Sequence, residues 1–298
     1  MYKKEKKKVA TVRIVYVCGL RIQLFFMVLY GQLVIGAPGA GKSTYCSGLA
    51  EIFEALKRPY KIINLDPAND LLPFKADIDI GELITVEEAM KEKHLGPNGA
   101  LIYCIKYLYA NLEWLKKKFE VLDHYLIIDM PGQLELYATH DDVKNIVREM
   151  EKWGLRLCAV HLSDSLYATD PSKFVSVLCS ALAIMVNLEM PQINVLSKVD
   201  LLKEDDEDLP YAWDFFERLP DLKYLADLLD NIGPLKKYGE LNQKLCEIVQ
   251  DYDLVCFQSL SVSSKEKMLN LIKQVDKANG FALLDVDDIR NYTFTSND

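Results

Sequence analysis

Short apolar runs and amphipathic stretches alternate along the chain, and that alternation sets the expected architecture. Leu33-Val34-Ile35, Tyr60 to Leu65, Tyr125 to Asp129, Leu155 to Leu162, Ile193 to Leu196 and Leu254 to Ser259 read as strands. They are apolar on consecutive rather than alternate positions, the mark of strands buried on both faces. Between them lie segments of helical period. Ser43 to Leu56 places Tyr45, Leu49, Ile52, Phe53 and Leu56 on one side, and Asn98 to Phe119 does the same with Leu101, Ile105, Leu108, Leu112 and Leu115. Thr85 to Glu92, Asp141 to Trp153, Ser172 to Leu188, 211–251 and Lys265 to Lys277 complete the helical series. Strands alternating with helices predict an α/β fold with a mainly parallel sheet, helices on both faces and a helical insertion at about 203–251. Right-handed crossovers then gather the loops that follow the strands along one sheet edge. On this reading the second strand lies beside the first.

Composition bounds the partners. The chain has 298 residues, half of them apolar, and a net charge of −9, which speaks against a general nucleic-acid-binding role. Residues 1–30 carry a net +6, leaving −15 for the rest. Lys3 to Lys8 is basic, and Val9 to Tyr30 is largely apolar but contains Arg13 and Arg21, each costly in hydrocarbon, so no membrane association is expected. We read 1–30 as an extension outside the fold, 31–285 as the folded domain and 286–298 as a polar tail. Seven scattered cysteines without a C-x-x-C pair read as reduced and mostly core residues, and the four histidines lack metal spacing. The acidic run 203–208 reads as a solvated loop.

The chemistry sits on the loops. Gly36-Ala37-Pro38-Gly39-Ala40-Gly41-Lys42-Ser43 has the form G-x-x-x-x-G-K-S between a strand and a helix, the context that makes it a phosphate-binding loop. Its glycines let the backbone wrap a phosphate, the unpaired N–H groups at the helix start attract an anion, Lys42 reaches the terminal phosphates, and the Ser43 hydroxyl holds Mg²⁺. Asp129-Met130-Pro131-Gly132-Gln133 follows a buried strand. Asp129 at its tip suits Mg²⁺, Gly132 offers an unhindered N–H to a γ-phosphate, and Gln133 can orient an attacking water. Ser197-Lys198-Val199-Asp200 has the form of the guanine-reading N-K-x-D turn with Ser in place of Asn. The Asp200 carboxylate would accept two hydrogen bonds from guanine, a donor pair adenine lacks, while the Lys198 stem covers the ring. Asp66, ending Asn64-Leu65-Asp66-Pro67-Ala68-Asn69, can join the Mg²⁺ shell, take a proton from the attacking water, or simply cap a turn. Gly96-Pro97-Asn98 reads as a rigid turn with Asn capping a helix start.

Taken together, G-A-P-G-A-G-K-S-T at 36–44, N-L-D-P-A-N at 64–69, D-I-G-E-L at 79–83, G-P-N-G at 96–99, D-M-P-G-Q-L-E-L at 129–136 and S-K-V-D at 197–200 resemble the GPN-loop GTPases over roughly 31–285, most closely the second paralogue of that family. The resemblance implies a P-loop NTPase fold, GTP as substrate with Mg²⁺, and nucleotide contacts from 36–44 (Thr44 included), Gly96, Pro97, Gly132 and 197–200 (Val199 included). It implies a dimer with another GPN-loop paralogue or with itself, in which Asn98 reaches the partner's site and stabilises the phosphate being cleaved. It also implies service to RNA polymerase II and III subunits, from the cytoplasm with shuttling to the nucleus. Two other functions fit a phosphate loop: a nucleotide-dependent scaffold with little turnover, and a small-molecule kinase. The kinase would need clustered arginines on a lid, and only the dispersed Arg148, Arg156 and Arg218 lie between Asp129 and the end of the insertion.

Overall fold

The apolar run ahead of the phosphate loop becomes the central strand of a seven-stranded sheet, because its side chains find apolar partners on both faces. The structure, a computed structural model, describes residues 10–17, 20–69, 72–202, 222–231, 236–252 and 255–283. Strands β1 (Ala10–Val17) and β2 (Leu20–Met27) pair antiparallel as a two-stranded sheet of their own. The main sheet contains β3 (Leu29–Gly36), β4 (Tyr60–Asn64), β5 (Ile78–Asp79), β6 (Tyr125–Asp129), β7 (Leu155–Asp164), β8 (Gln192–Ser197) and β9 (Phe257–Ser259). All its pairings are parallel, in the order β5-β4-β6-β3-β7-β8-β9. Strand β3 begins at Leu29, two residues ahead of the expected domain start. The second strand of the phosphate-site series, β4, does not neighbour the first as expected. β6 lies between them, pairing with β3 through Gly31–Leu126 and with β4 through Tyr60–Tyr125.

The two-residue period of the strands distributes one apolar run to two cores. Leu33, Ile35, Leu126 and Ile128 enter one cluster, and Val34, Tyr125 and Ile127 the other. The first core is closed by α2 (Val86–Lys93), α3 (Pro97–Ala110), α4 (Leu112–Phe119), the short α5 (Glu135–Ala138) and α6 (Asp141–Lys152). The second is closed by α1 (Lys42–Ala55) and, past the last strand, by a helix over Lys265–Ala278. The expected single helix from Asn98 to Phe119 is broken at Asn111. Its side-chain amide donates to Tyr107 O at 2.8 Å, the competition for a helical carbonyl that makes Asn a poor interior residue.

Helix α7 (Pro171–Leu188) buries Phe174, Val175, Leu178, Ala181, Leu182, Ile184 and Leu188. By length and composition it could cross a bilayer, and its apolar character serves these core contacts. The insertion supplies α8 (Lys223–Asn231) and α9 (Gly239–Tyr252), whose Leu225, Ala226, Leu229, Cys246 and Val249 pack into a third cluster with α7 and β9. The acidic run 203–208, Arg218, Cys18 and the tail 286–298 lie outside the described residues. Cys46, Cys104, Cys158 and Cys246 are buried thiols, and no disulfide joins the described cysteines. Helix α10 (Lys265–Ala278) is locked to the loop between α1 and β4. Arg58 donates from Nη1 and Nη2 to the two carboxylate oxygens of Asp276 at 2.7 and 2.9 Å, and its guanidinium stacks 4.4, 4.0 and 4.1 Å from the rings of Phe53, Tyr125 and Phe281.

Candidate active site

The phosphate loop owes its shape to backbone that only glycine adopts cheaply. Gly39 and Gly41 have φ of 78° and 89°, and the turn delivers the chain into α1 at Lys42 with no side chain capping the helix start. The amino end of α1 is thereby left for an anion. Lys42 is buried, and its ammonium makes one long contact, to Ala37 O at 3.4 Å. A buried cation with so little local satisfaction is built for a charged ligand.

Two carboxylates from neighbouring strand tips face it. Asp129 ends β6 and is fully buried. Its Oδ2 accepts from Ser43 Oγ at 2.8 Å, while Oδ1 is buried without a hydrogen-bond partner. Burial pushes its pKa up from 3.8 to about 6, against the lowering by Ser43 and Lys42. Asp66 follows β4 and is raised mainly by burial, with Lys42 and the Ala68 N–H pulling it down. Its Oδ1 accepts from Ala68 N at 3.0 Å, so it does cap its own turn. Asn64 braces it, donating to Asp66 O and to Asp79 Oδ1 at 3.3 and 3.0 Å, which ties the N-L-D-P-A-N and D-I-G-E-L segments together. Asn69 reaches Ser43 Oγ at 3.4 Å.

These residues fit Mg²⁺. The orphaned Asp129 Oδ1 beside the Ser43 hydroxyl is a hard-oxygen donor pair, and Mg²⁺ characteristically takes one or two protein oxygens and completes its shell with phosphate and water. Among the described residues no cluster of three or more His, Cys, Asp or Glu could hold a metal without such help.

Gly132 packs directly against the phosphate loop. A Cβ there would stand 2.9 Å from Lys42 Nζ and 3.2 Å from Pro38, so any other residue would push into the phosphate loop. The turn before it is held by Tyr137, whose hydroxyl donates to Pro131 O at 2.5 Å, while Asn187 of α7 donates to Tyr137 O at 2.6 Å. Gln133 Nε2 donates to Asn98 Oδ1 of the same chain at 2.7 Å. Asn98 is not the helix cap expected of it. Gly96 is the N-cap, Pro97 takes the first helical position, and Asn98 stands exposed in the first turn with its amide turned to Gln133.

The turn 197–200 is assembled with two other strand tips. Ser197 Oγ lies 2.8 Å from Ala40 O and 3.1 Å from Ser163 O, so the residue replacing the usual Asn still ties the base turn to the phosphate loop. Lys198 adopts φ of 61° and donates to Asp164 Oδ2 at 2.7 Å. Asp200 is exposed in a 3-10 turn over Val199–Leu201. Val199 N donates to Leu260 O and Leu260 N to Leu196 O, which seats the loop after β9 against this turn. Neither that loop nor Asp164 stood out as site residues in the sequence. The contact from Asp164 to Lys198 spans 34 positions and has no local signature. Among the histidines, His161 is a core residue. Burial lowers its pKa to about 4, and its Nδ1 faces Asn194 Oδ1 at 3.3 Å.

Residues 34–281 match a family model described as a conserved hypothetical ATP-binding protein. GPN-loop GTPase 2 of Danio rerio is 47% identical over 260 residues, covering 87% of this chain and 83% of the relative. GPN-loop GTPase QQT1 of Arabidopsis thaliana is 43% identical, covering 87% and 88%. The chain belongs to the GPN-loop GTPase family. GPN-loop GTPase 2 of Saccharomyces cerevisiae is also 43% identical, covering 85% and 75%. The apo structure of a Pyrococcus abyssi GTPase superposes with a TM-score of 0.68 at 26% identity over 84% of this chain and 97% of that one. Its relatives thus place this GPN-loop GTPase among enzymes that bind and hydrolyse GTP, and the family model's mention of ATP does not outweigh them. The kinase alternative finds no lid in the described arginines. Arg148 pairs with Glu189, and Arg156 lies at the amino end of β7, away from the site edge.

The elevated pKa of Asp129 gives this GPN-loop GTPase a pH-dependent stability. Its folded pKa lies above its unfolded one, so its contribution favours folding below the ordinary carboxylate range and is lost as pH rises through about 6. In metal- and nucleotide-free protein, Asp129→Asn is expected to be more stable than the parent at pH 8 by about 3 kcal/mol, a difference that vanishes below about pH 4. Urea unfolding across that range measures it, and equal stability of the two proteins at pH 8 would contradict the assignment.

Proposed function

We propose that this GTPase is a Mg²⁺-dependent dimeric switch, paired with another GPN-loop paralogue or with itself, that assists assembly and nuclear delivery of RNA polymerases II and III from the cytoplasm. The polymerase and partner roles rest on the sequence resemblance. The observation that carries the hydrolytic reading is the Ser43 hydroxyl on the buried Asp129 with its unpartnered carboxylate oxygen, set beside the under-satisfied Lys42.

Lys42 and the 36–41 backbone hold and polarise the phosphates, where preorganised donors in a water-poor site act most strongly. Ser43 and Asp129, with Asp66 behind them, would hold Mg²⁺, which would supply positive charge against that growing on the phosphate oxygens. Asp66, its carboxyl raised by burial, is suited to take the proton of an attacking water that Gln133 orients. Lys198 and Asp200 read the base. Asp200→Asn is expected to weaken GTP binding about a hundredfold, the loss of two charge-assisted bonds, without changing ATP binding. Titration with fluorescent nucleotides tests it, and an unaltered GTP-to-ATP ratio would remove Asp200 from the base site.

Asn98 is assigned to the partner's phosphate. Within one chain its amide oxygen accepts from Gln133, and that contact favours the second reading, a scaffold that turns over little when alone. Asn98→Ala is expected to lower hydrolysis about a hundredfold with little effect on binding, because its donor matters where charge develops. Mixing Asn98→Ala with Lys42→Ala chains restores turnover if the amide is supplied in trans. No recovery means each site uses its own Asn98. Near-zero phosphate release from the tightly nucleotide-bound parent dimer would favour the scaffold.

A further inference from the structure

We infer that Asp164, at the tip of β7, is a positioning residue that sets guanine selectivity by holding Lys198 in its base-facing pose. The inference rests on the assignment of Lys198 and Asp200 to the base. Three contacts converge on this point. Asp164 Oδ1 accepts from Leu166 N at 3.0 Å, which fixes the carboxylate on its own turn. Its Oδ2 accepts from Lys198 Nζ at 2.7 Å, in a pair whose side chains are 18% and 34% exposed. One residue earlier, Ser163 O stands 3.1 Å from Ser197 Oγ, so consecutive residues of β7 brace consecutive residues of the base turn.

Lys198 needs such support. Its φ of 61° is a left-handed conformation that side-chain-bearing residues adopt at a cost. Its stem runs toward the phosphate loop, with Cε 3.9 Å from the position of a Cβ on Gly41. A free lysine would sample many rotamers and lose that freedom when a guanine held by Asp200 slid beneath it, whereas adenine, without that hold, is not seated under the stem. With the ammonium anchored on a carboxylate that is itself anchored to backbone, the stem is laid out before the ligand arrives, and less affinity is spent on ordering it. The pair also turns the charge toward Asp164 and leaves methylenes for the ring face.

Asp164→Asn keeps an acceptor for the Leu166 N–H and removes the charge that holds Lys198. In the full chain we expect GTP and GDP to bind about five- to tenfold more weakly through faster dissociation, the scale of one half-exposed charged contact, while ATP affinity stays constant. The rise falls on KM rather than kcat. In a Lys198→Met background the same substitution should add nothing, because both changes remove one interaction. Asp164→Ser, which also keeps an acceptor near Leu166 N, should reproduce the selective loss, and thermal unfolding of each variant confirms its fold. Equal weakening of GTP and ATP, additive losses in the double variant, or unchanged GTP affinity would each overturn the proposal. Asp200→Asn run alongside separates the levels. If it keeps the parent's GTP preference, the base assignment fails and the inference with it. If it loses that preference while Asp164→Asn does not, the inference alone fails.

Discussion

Lys42→Ala is expected to lower single-turnover GTP hydrolysis by about three orders of magnitude, the scale of removing a charged, preorganised stabiliser of a developing phosphate charge. The reason lies in how Lys42 sits. It is buried at the start of α1, its one hydrogen bond is long, and its charge bears on both Asp129 and Asp66. A residue in that position contributes little packing of its own and much to a triply charged ligand. The variant should therefore fold. Its unfolding midpoint should move by only a few degrees, since for a chain of this size about 1 kcal/mol corresponds to about 2–4 °C. Rapid-quench phosphate release and calorimetric unfolding on the same preparation test both halves. Hydrolysis within tenfold of the parent would show that the phosphates are held elsewhere.

Asp276→Ala is expected to destabilise the protein by about 3–5 kcal/mol, because it strands a buried guanidinium. Arg58 is held between three aromatic rings and bonded through both terminal nitrogens to Asp276, with the two side chains 8% and 5% exposed. Removing the carboxylate leaves a charge with nowhere to go, whereas removing both partners relieves it. Arg58→Met with Asp276→Leu should thus be markedly more stable than Asp276→Ala alone. Arg58→Lys should also cost stability, since an ammonium neither spans both carboxylate oxygens nor stacks flat on the rings. Urea unfolding distinguishes these cases. A loss below about 1 kcal/mol for Asp276→Ala would mean that Arg58 reaches solvent or another acceptor.

Strands buried on both faces announce themselves, and so β6, β7 and β8 were legible to within a residue or two, while β3 starts four residues ahead of the expected Leu33. The phosphate loop, Asp129 and Ser197 were legible for the same reason: each follows directly from such a strand, and chain order alone places it at the site edge. Sheet order was not. That β6 wedges between β3 and β4 depends on which apolar faces match across the sheet, and nothing in β4 itself records it. The two-residue β5 is too short to carry a period. Contacts between distant polar residues were equally hidden. Asp164 with Lys198, and Gln133 with Asn98, are pairs of ordinary surface types until folding sets them side by side. Asn98 as a cap was a reasonable local reading that lost to Gly96 and Pro97, which already satisfy the geometry of a helix start.

The tie from Pro131 through Tyr137 to Asn187 has a mechanical consequence. A shift of the Gly132 turn against the phosphate loop would either stretch the buried bond from the Tyr137 hydroxyl to Pro131 O or drag the phenol with it, and the backbone carbonyl of Tyr137 is gripped by Asn187 in the last turn of α7. A movement of that turn would then be passed along α7 to the opposite edge of the sheet, where α7 gives way to the amino end of β8.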